Sequence, residues 1–179
     1  MIFFSIFVVL ALAALVFFWM MARGHGRQAG SWEDLPKLTE PVDLVAFRNL
    51  TDPKEDAWLR GQLPRHDYLA VRRERMAAAA DYLGRTSRNA AILSRLGQAA
   101  TASSDPALAE AGRELVNTAA WTRLYTFQAL VRVHTAWLFP ELTASLPRAV
   151  DQYQRLLARV DRVGRMQSPV LASRIASSL

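Results

Sequence analysis

SRNAAILSRLGQAATASSDPALAEAGRELVNTAAW, residues 87–121, is the stretch that decides the fold. Its middle, Ala102-Ser103-Ser104-Asp105-Pro106, is a break. Asp105 can cap a helix with its side chain, and Pro106 suits a first turn because its missing N–H would have no intrahelical partner. On either side the chain is rich in alanine and leucine with no further proline, so two helices joined by a tight turn are expected. Gly97 and Gly112 stand equally far from that turn and would lie level in an antiparallel pair. Without side chains they would let the two backbones approach closely. Ala90 and Ala119 repeat the arrangement one step further out.

Working outward, the first helix of this hairpin extends from about Pro64 to Thr101. Leu69, Met76, Leu83, Ala90 and Gly97 recur every seven residues along its inner face. The second runs from Pro106 to Phe139, where Pro140 ends it. Each is roughly 50 Å long at 1.5 Å per residue. The second is apolar almost all the way round, with Leu115, Ala119, Leu124, Phe127, Leu130, Val131, Val133, Trp137 and Leu138. A helix without a polar side is expected at the centre of a bundle. Arg123, Arg132 and His134 argue against its being a membrane span.

The other prolines organise the rest. Short helices are expected near Pro41–Leu50 and Pro53–Gly61, the second capped by Asp52. A last long helix is expected over about Pro147–Met166, with Ser145 as a weaker cap. Ser31 with Asp34 resembles a capping box for one turn, which Pro36 would close. No period-2 alternation and no Asn-Gly or Asp-Gly turn signals a strand. The fold class expected is all-α: an N-terminal transmembrane helix followed by an antiparallel helical bundle built on a long hairpin.

The transmembrane expectation rests on Ile2–Ala22, an unbroken apolar run in which Ser5 is the one polar side chain. About 20 such residues match the hydrocarbon thickness of a bilayer. The run is long for a signal peptide, lacks a basic n-region, and ends in Met20-Met21-Ala22 rather than a small-x-small site. Trp19 suits the headgroup interface. Arg23, Arg27 and Lys37 follow the run with nothing basic before it, which favours the C-terminal part on the cytoplasmic side of the inner membrane. The domain plan is therefore an anchor over 1–22, a glycine-containing linker over 23–40, a bundle over 41–166, and a tail over 167–179 that forms a short helix or frays.

The chain has 179 residues with 22 Lys and Arg against 16 Asp and Glu, a net charge of +6, all of it beyond the apolar run. Lys37 and Lys54 are the only lysines. The arginine and alanine bias is that of a bacterial chain rich in GC codons. Cysteine is absent, which excludes disulfides, thiolate metal sites and cysteine nucleophiles.

At about 100° per residue, Arg148, Arg155, Arg159 and Arg162 fall in one strip of the last long helix. Val150, Tyr153, Leu156, Val160 and Val163 form the opposite face. The strip could serve anionic lipid headgroups, an acidic partner, or merely water. Arg72, Arg73 and Arg75, continued by Arg85, Arg88 and Arg95, form a second basic cluster. No nucleic-acid motif accompanies it, and nucleic acid is not an expected partner.

Few residues suggest chemistry. His134 reads as a satisfied core histidine, and His25 and His66 lack company for metal binding. Glu110 and Glu114 are an i,i+4 carboxylate pair without the Glu-x-x-His of di-metal bundles. Arg123 is expected to need a carboxylate partner, with Asp81 near its level in the hairpin. No phosphate loop or hydrolase motif is present, so no catalytic, cofactor or metal residue is assigned. The function expected is a single-pass, membrane-anchored bundle acting through protein contacts, as a scaffold or accessory subunit of a membrane assembly. Its partners would be the lipid bilayer and a membrane protein or a second copy. The alternative is a sensory or ligand-binding bundle with Trp121, Tyr125, Phe127 and Trp137 lining a pocket; an enzyme comes third.

Overall fold

The computed structural model describes residues 35–138 and 147–167, with Leu12 and Leu15 before them, both helical and exposed. The elements in order are α1 (Leu35–Leu38), α2 (Leu44–Leu50), α3 (Pro53–Gln62), α4 (Arg65–Thr101), α5 (Pro106–Leu138) and α6 (Pro147–Gln167). Among the described residues there is no strand, and no helix is long and apolar enough to cross a membrane. Apart from Leu12 and Leu15, the apolar run Ile2–Ala22 lies outside the described residues. So do the expected caps at Ser31 and Ser145, the helix stop at Pro140 and the tail from Ser168.

The protein is a helical bundle. α4 and α5 form the expected antiparallel hairpin, α6 packs on α5, and α2 is seated on α4 and α6. The turn is built as its residues require. Asp105 Oδ1 accepts from the Ala107 N–H at 2.9 Å, and the chain leaves α4 through Ala102 and Ser103, whose N–H groups donate to Ala99 and Ala100. A Cβ placed on Gly97 would sit 3.1 Å from the Gly112 carbonyl oxygen; one placed on Gly112 would sit 2.8 Å from that of Gly97. The two glycines are thus a true close approach, and Ala90 and Ala119 are fully buried beside it.

The core follows the hairpin in two clusters. One joins Leu93, Leu96, Ala111 and Leu115 to Tyr153, Leu156, Val160 and Val163 of α6, and takes in Leu35 and Val42. The other joins Met76, Leu83, Ala129 and Val133 to Phe47 of α2 and Val150 of α6. Phe47 also stacks on Tyr82, with ring centroids 5.6 Å apart. The packed unit therefore takes in Leu35, within the stretch expected to be linker.

Three local expectations are corrected. The helix α1 continues past Pro36 to Leu38 rather than closing at it. α2 starts at Leu44 rather than Pro41, because Asp43 is the cap and accepts from the Val45 and Ala46 N–H groups. α5 is not covered on all sides: Trp121, Val131 and Trp137 are 47%, 47% and 52% exposed. Helices α4 and α6 cover two of its flanks, and no described element covers the third.

Candidate interaction surface

The inner face of α6 is as expected, with Val150, Tyr153, Leu156, Val160 and Val163 all buried. That seating turns the arginine strip outward. Arg155 is exposed, and no ion pair holds it among the described residues. Arg159 and Arg162 both reach Glu114 of α5, Arg162 at 3.2 Å from the same carboxylate oxygen. One step on, Arg165 pairs with Asp161. The Arg148 side chain lies outside the described residues. Glu114 thus acts as a tie between α5 and α6. It takes two guanidiniums on one carboxylate and leaves positive charge in excess.

The second feature is a polar clasp around Glu40. Asn89 of α4 is fully buried. Its Oδ1 accepts from the Glu40 N–H at 2.9 Å, and its Nδ2 donates to the Glu40 carbonyl at 2.7 Å and to the Tyr153 hydroxyl at 2.9 Å. One side chain therefore satisfies both backbone groups of Glu40 and bridges α4 to α6. Outside it, Arg88 grips the Glu40 carboxylate with two bonds of 2.7 Å. That hydrogen bond is the main reason the Glu40 carboxyl is held below its usual 4.5, with the charges of Arg88 and Arg85 adding to it. Burial raises the Tyr153 hydroxyl, and the Asn89 bond partly opposes this.

The third feature is an elbow. Asp52 caps α3, and Arg75 of α4 reaches across to the Asn49 and Leu50 carbonyls and to Glu55. A cation on the open carbonyls of α2 satisfies groups that have no partner within their own helix. Tyr68 donates to Asp56 at 3.2 Å; burial, then the Asp56 charge, raises its hydroxyl. Arg72 is buried between two clefts of about 10 and 20 Å³, each with room for about one water.

These contacts account for half of the basic cluster on α4. Arg75, Arg85 and Arg88 are spent on Glu55, Asp81 and Glu40, and Arg85 also lies 5.9 Å from the Tyr82 ring centre. Arg73 alone of the leading triplet is exposed. Asp81 pairs with Arg85 at 2.7 Å, a nearer neighbour one turn along the same helix, rather than serving Arg123. Burial lowers the Arg123 pKa, and the like charge of Arg95 lowers it further. His134 is not in the core. It is exposed, with Nδ1 2.7 Å from the Leu130 carbonyl, which assigns that nitrogen the proton.

On α5, Trp121 lies beside Tyr125 with ring centroids 6.0 Å apart. Trp121 and Trp137 face outward rather than into the helix interfaces, and Trp137 borders the smaller cleft by Arg72 and Arg73. Among the described residues no three His, Asp or Glu side chains converge as metal ligands, and Glu110 bonds Arg113. Sequence reasoning missed Asn89 and the role of Glu114. Asn89 carried no signal, since its partners lie 49 and 64 positions away. Glu114 was legible only as half of a carboxylate pair. The chain matches no family model, and comparison with curated proteins and with solved structures found no match.

Proposed function

We propose that this protein is a single-pass, membrane-anchored helical bundle on the cytoplasmic side of the inner membrane. It acts through protein contacts, as a scaffold or accessory subunit of a membrane assembly. The apolar run Ile2–Ala22 is the anchor. The observation that carries the contact reading is the open sector of α5, where Trp121 and Val131 lie exposed about 80° apart around the helix axis. Large aromatic side chains on an open helix face are what a partner's groove or helix buries most profitably. Asn89 in the interior, and Arg75, Arg88 and Glu114 nearer the surface, are meanwhile spent on holding segments of the bundle together.

Purification of the full chain from mild detergent tests this reading. The wild type is expected to bring down one membrane protein, or a second copy of itself, in stoichiometric amount. Trp121→Glu is expected to lose it while keeping its helical content, because the side chain is already half in water. Recovery of no stoichiometric partner by the wild type refutes the reading. A reporter fused after Leu179 and active on one side only reads the orientation.

A further inference from the structure

We infer that the outer face of α6 from Arg155 to Met166 lies on the anionic headgroups of the bilayer that Ile2–Ala22 enters. This rests on the anchor proposed above and adds to it a second, electrostatic attachment.

The face itself is the first argument. Stepping at 100° per residue, its outward positions are Arg155, Ala158, Arg159, Arg162, Arg165 and Met166, with no carboxylate among them. Asp151 stands on the same face one turn before Arg155 and pairs with Arg48 of α2, while Glu114 from α5 and Asp161 from the flank of α6 reach the face from its borders. Four guanidiniums against two carboxylates leave the face positive. Arg155 has no ion pair among the described residues, and Glu114 divides one charge between two arginines. Arginine stems lie along apolar surface while their heads bind phosphate oxygens in pairs, and exposed Met166 completes an interfacial pattern at the end of the face.

The second argument is where the tether arrives. Leu35 packs in the same cluster as Val160 and Val163, the inner face of this part of α6. Asn89 and Arg88 then fix Glu40 in the seam between α4 and α6. Residues 23–34 reach at most ~40 Å when fully extended. Arg48 of α2 reaches Gln154 and Asp151 of α6, so the described N-terminal segment runs along one border of the arginine face. α5 supplies Glu114 to the other border of the face.

The experiment uses the absence of cysteine. The full chain carries a single fluorophore at Ala158→Cys on the α6 face, or at Ala120→Cys on the exposed side of α5. It is reconstituted in nanodiscs of phosphatidylcholine, with or without phosphatidylglycerol, and quenched by a headgroup-linked acceptor. Quenching at 158 is expected to exceed that at 120 in the anionic discs, and to fall to the 120 level in neutral discs or high salt. Arg155→Gln, which breaks no ion pair of the fold, is expected to shift the surface-bound equilibrium about fivefold toward the free form, and Arg155→Glu about thirtyfold. Arg155→Lys is expected to retain it. Equal quenching in the two lipids, or indifference to Arg155→Glu, overturns the inference, as does charge reversal that releases an acidic protein while leaving quenching unchanged. If the anchor reading itself is wrong, the chain fails to co-migrate with discs of either lipid, a separate result that removes both.

Discussion

Gly112→Ala adds a single methyl group at the tightest point of the hairpin. The new Cβ would stand 2.8 Å from the Gly97 carbonyl oxygen, 2.9 Å from the Thr101 nitrogen and 3.0 Å from the Ala100 Cβ. Two of those atoms are backbone of a 37-residue helix, which cannot swing aside as a side-chain tip can. To restore contacts of ~3.5 Å, α4 and α5 must part locally by roughly half an ångström. A gap of that size forfeits about a quarter of the dispersion well across the interface. Overfilling a packed site costs about 1–3 kcal/mol. Alanine returns about 1 kcal/mol through its better helix propensity. The net expectation is a loss of about 1–2 kcal/mol, or a fall in Tm of roughly 3–8 °C. The same substitution elsewhere supplies the contrast. A Cβ on Gly61 meets nothing within 4 Å, and on Gly84 it meets only the movable tip of Arg88 at 3.2 Å. Both variants are expected to be as stable as the wild type or up to about 1 kcal/mol more so. Urea unfolding of the full chain in mild detergent, followed by far-UV circular dichroism, reads all three. A Gly112→Ala protein that matches Gly61→Ala in midpoint would refute the close approach.

Asn89→Ala leaves the Glu40 backbone groups and the Tyr153 hydroxyl without their partner. A loss of about 3 kcal/mol is expected, with faster hydrogen exchange at the Glu40 amide; Tyr153→Phe should lose only about 1 kcal/mol. Because Arg88 holds the Glu40 carboxyl below 4.5, its contribution is complete above that pH and disappears as pH falls through the depressed native value. Glu40→Gln should therefore be less stable than wild type near neutrality, with the difference vanishing in acid; a difference that persists in acid would contradict the ion-pair account. Glu114→Ala releases two half-exposed arginines and is expected to lose less than about 1 kcal/mol, measured by the same urea titration. It should also strengthen the lipid attachment of α6, since one carboxylate leaves that face.

The long elements were legible because their signals are local. Asp105-Pro106 and Asp52-Pro53 carry their caps beside them, and the seven-residue spacing of Met76, Leu83, Ala90 and Gly97 needs no knowledge of partners. The same holds for α6, whose buried face from Val150 to Val163 repeats with the helix period. Pairings were not legible in this way. His134 shared a helix face with Val131, and periodicity cannot say whether that face meets a neighbour; here it meets water. The arginine strip was visible as geometry, but its charge balance was not. That depends on Glu114, which arrives from another helix.

What the sequence determined by itself is helix content, the hairpin with its glycine contact, and the apolar run that points to a bilayer. Each follows from residues a few positions apart, through capping, proline stereochemistry and period. Only the tertiary structure decided which flank of α5 stays open, that the packed unit takes in Leu35, and that Asn89 fastens the entering chain to both α4 and α6. Those depend on which buried polar groups find partners and on how many neighbours a face receives, and side chains dozens of residues apart settle both.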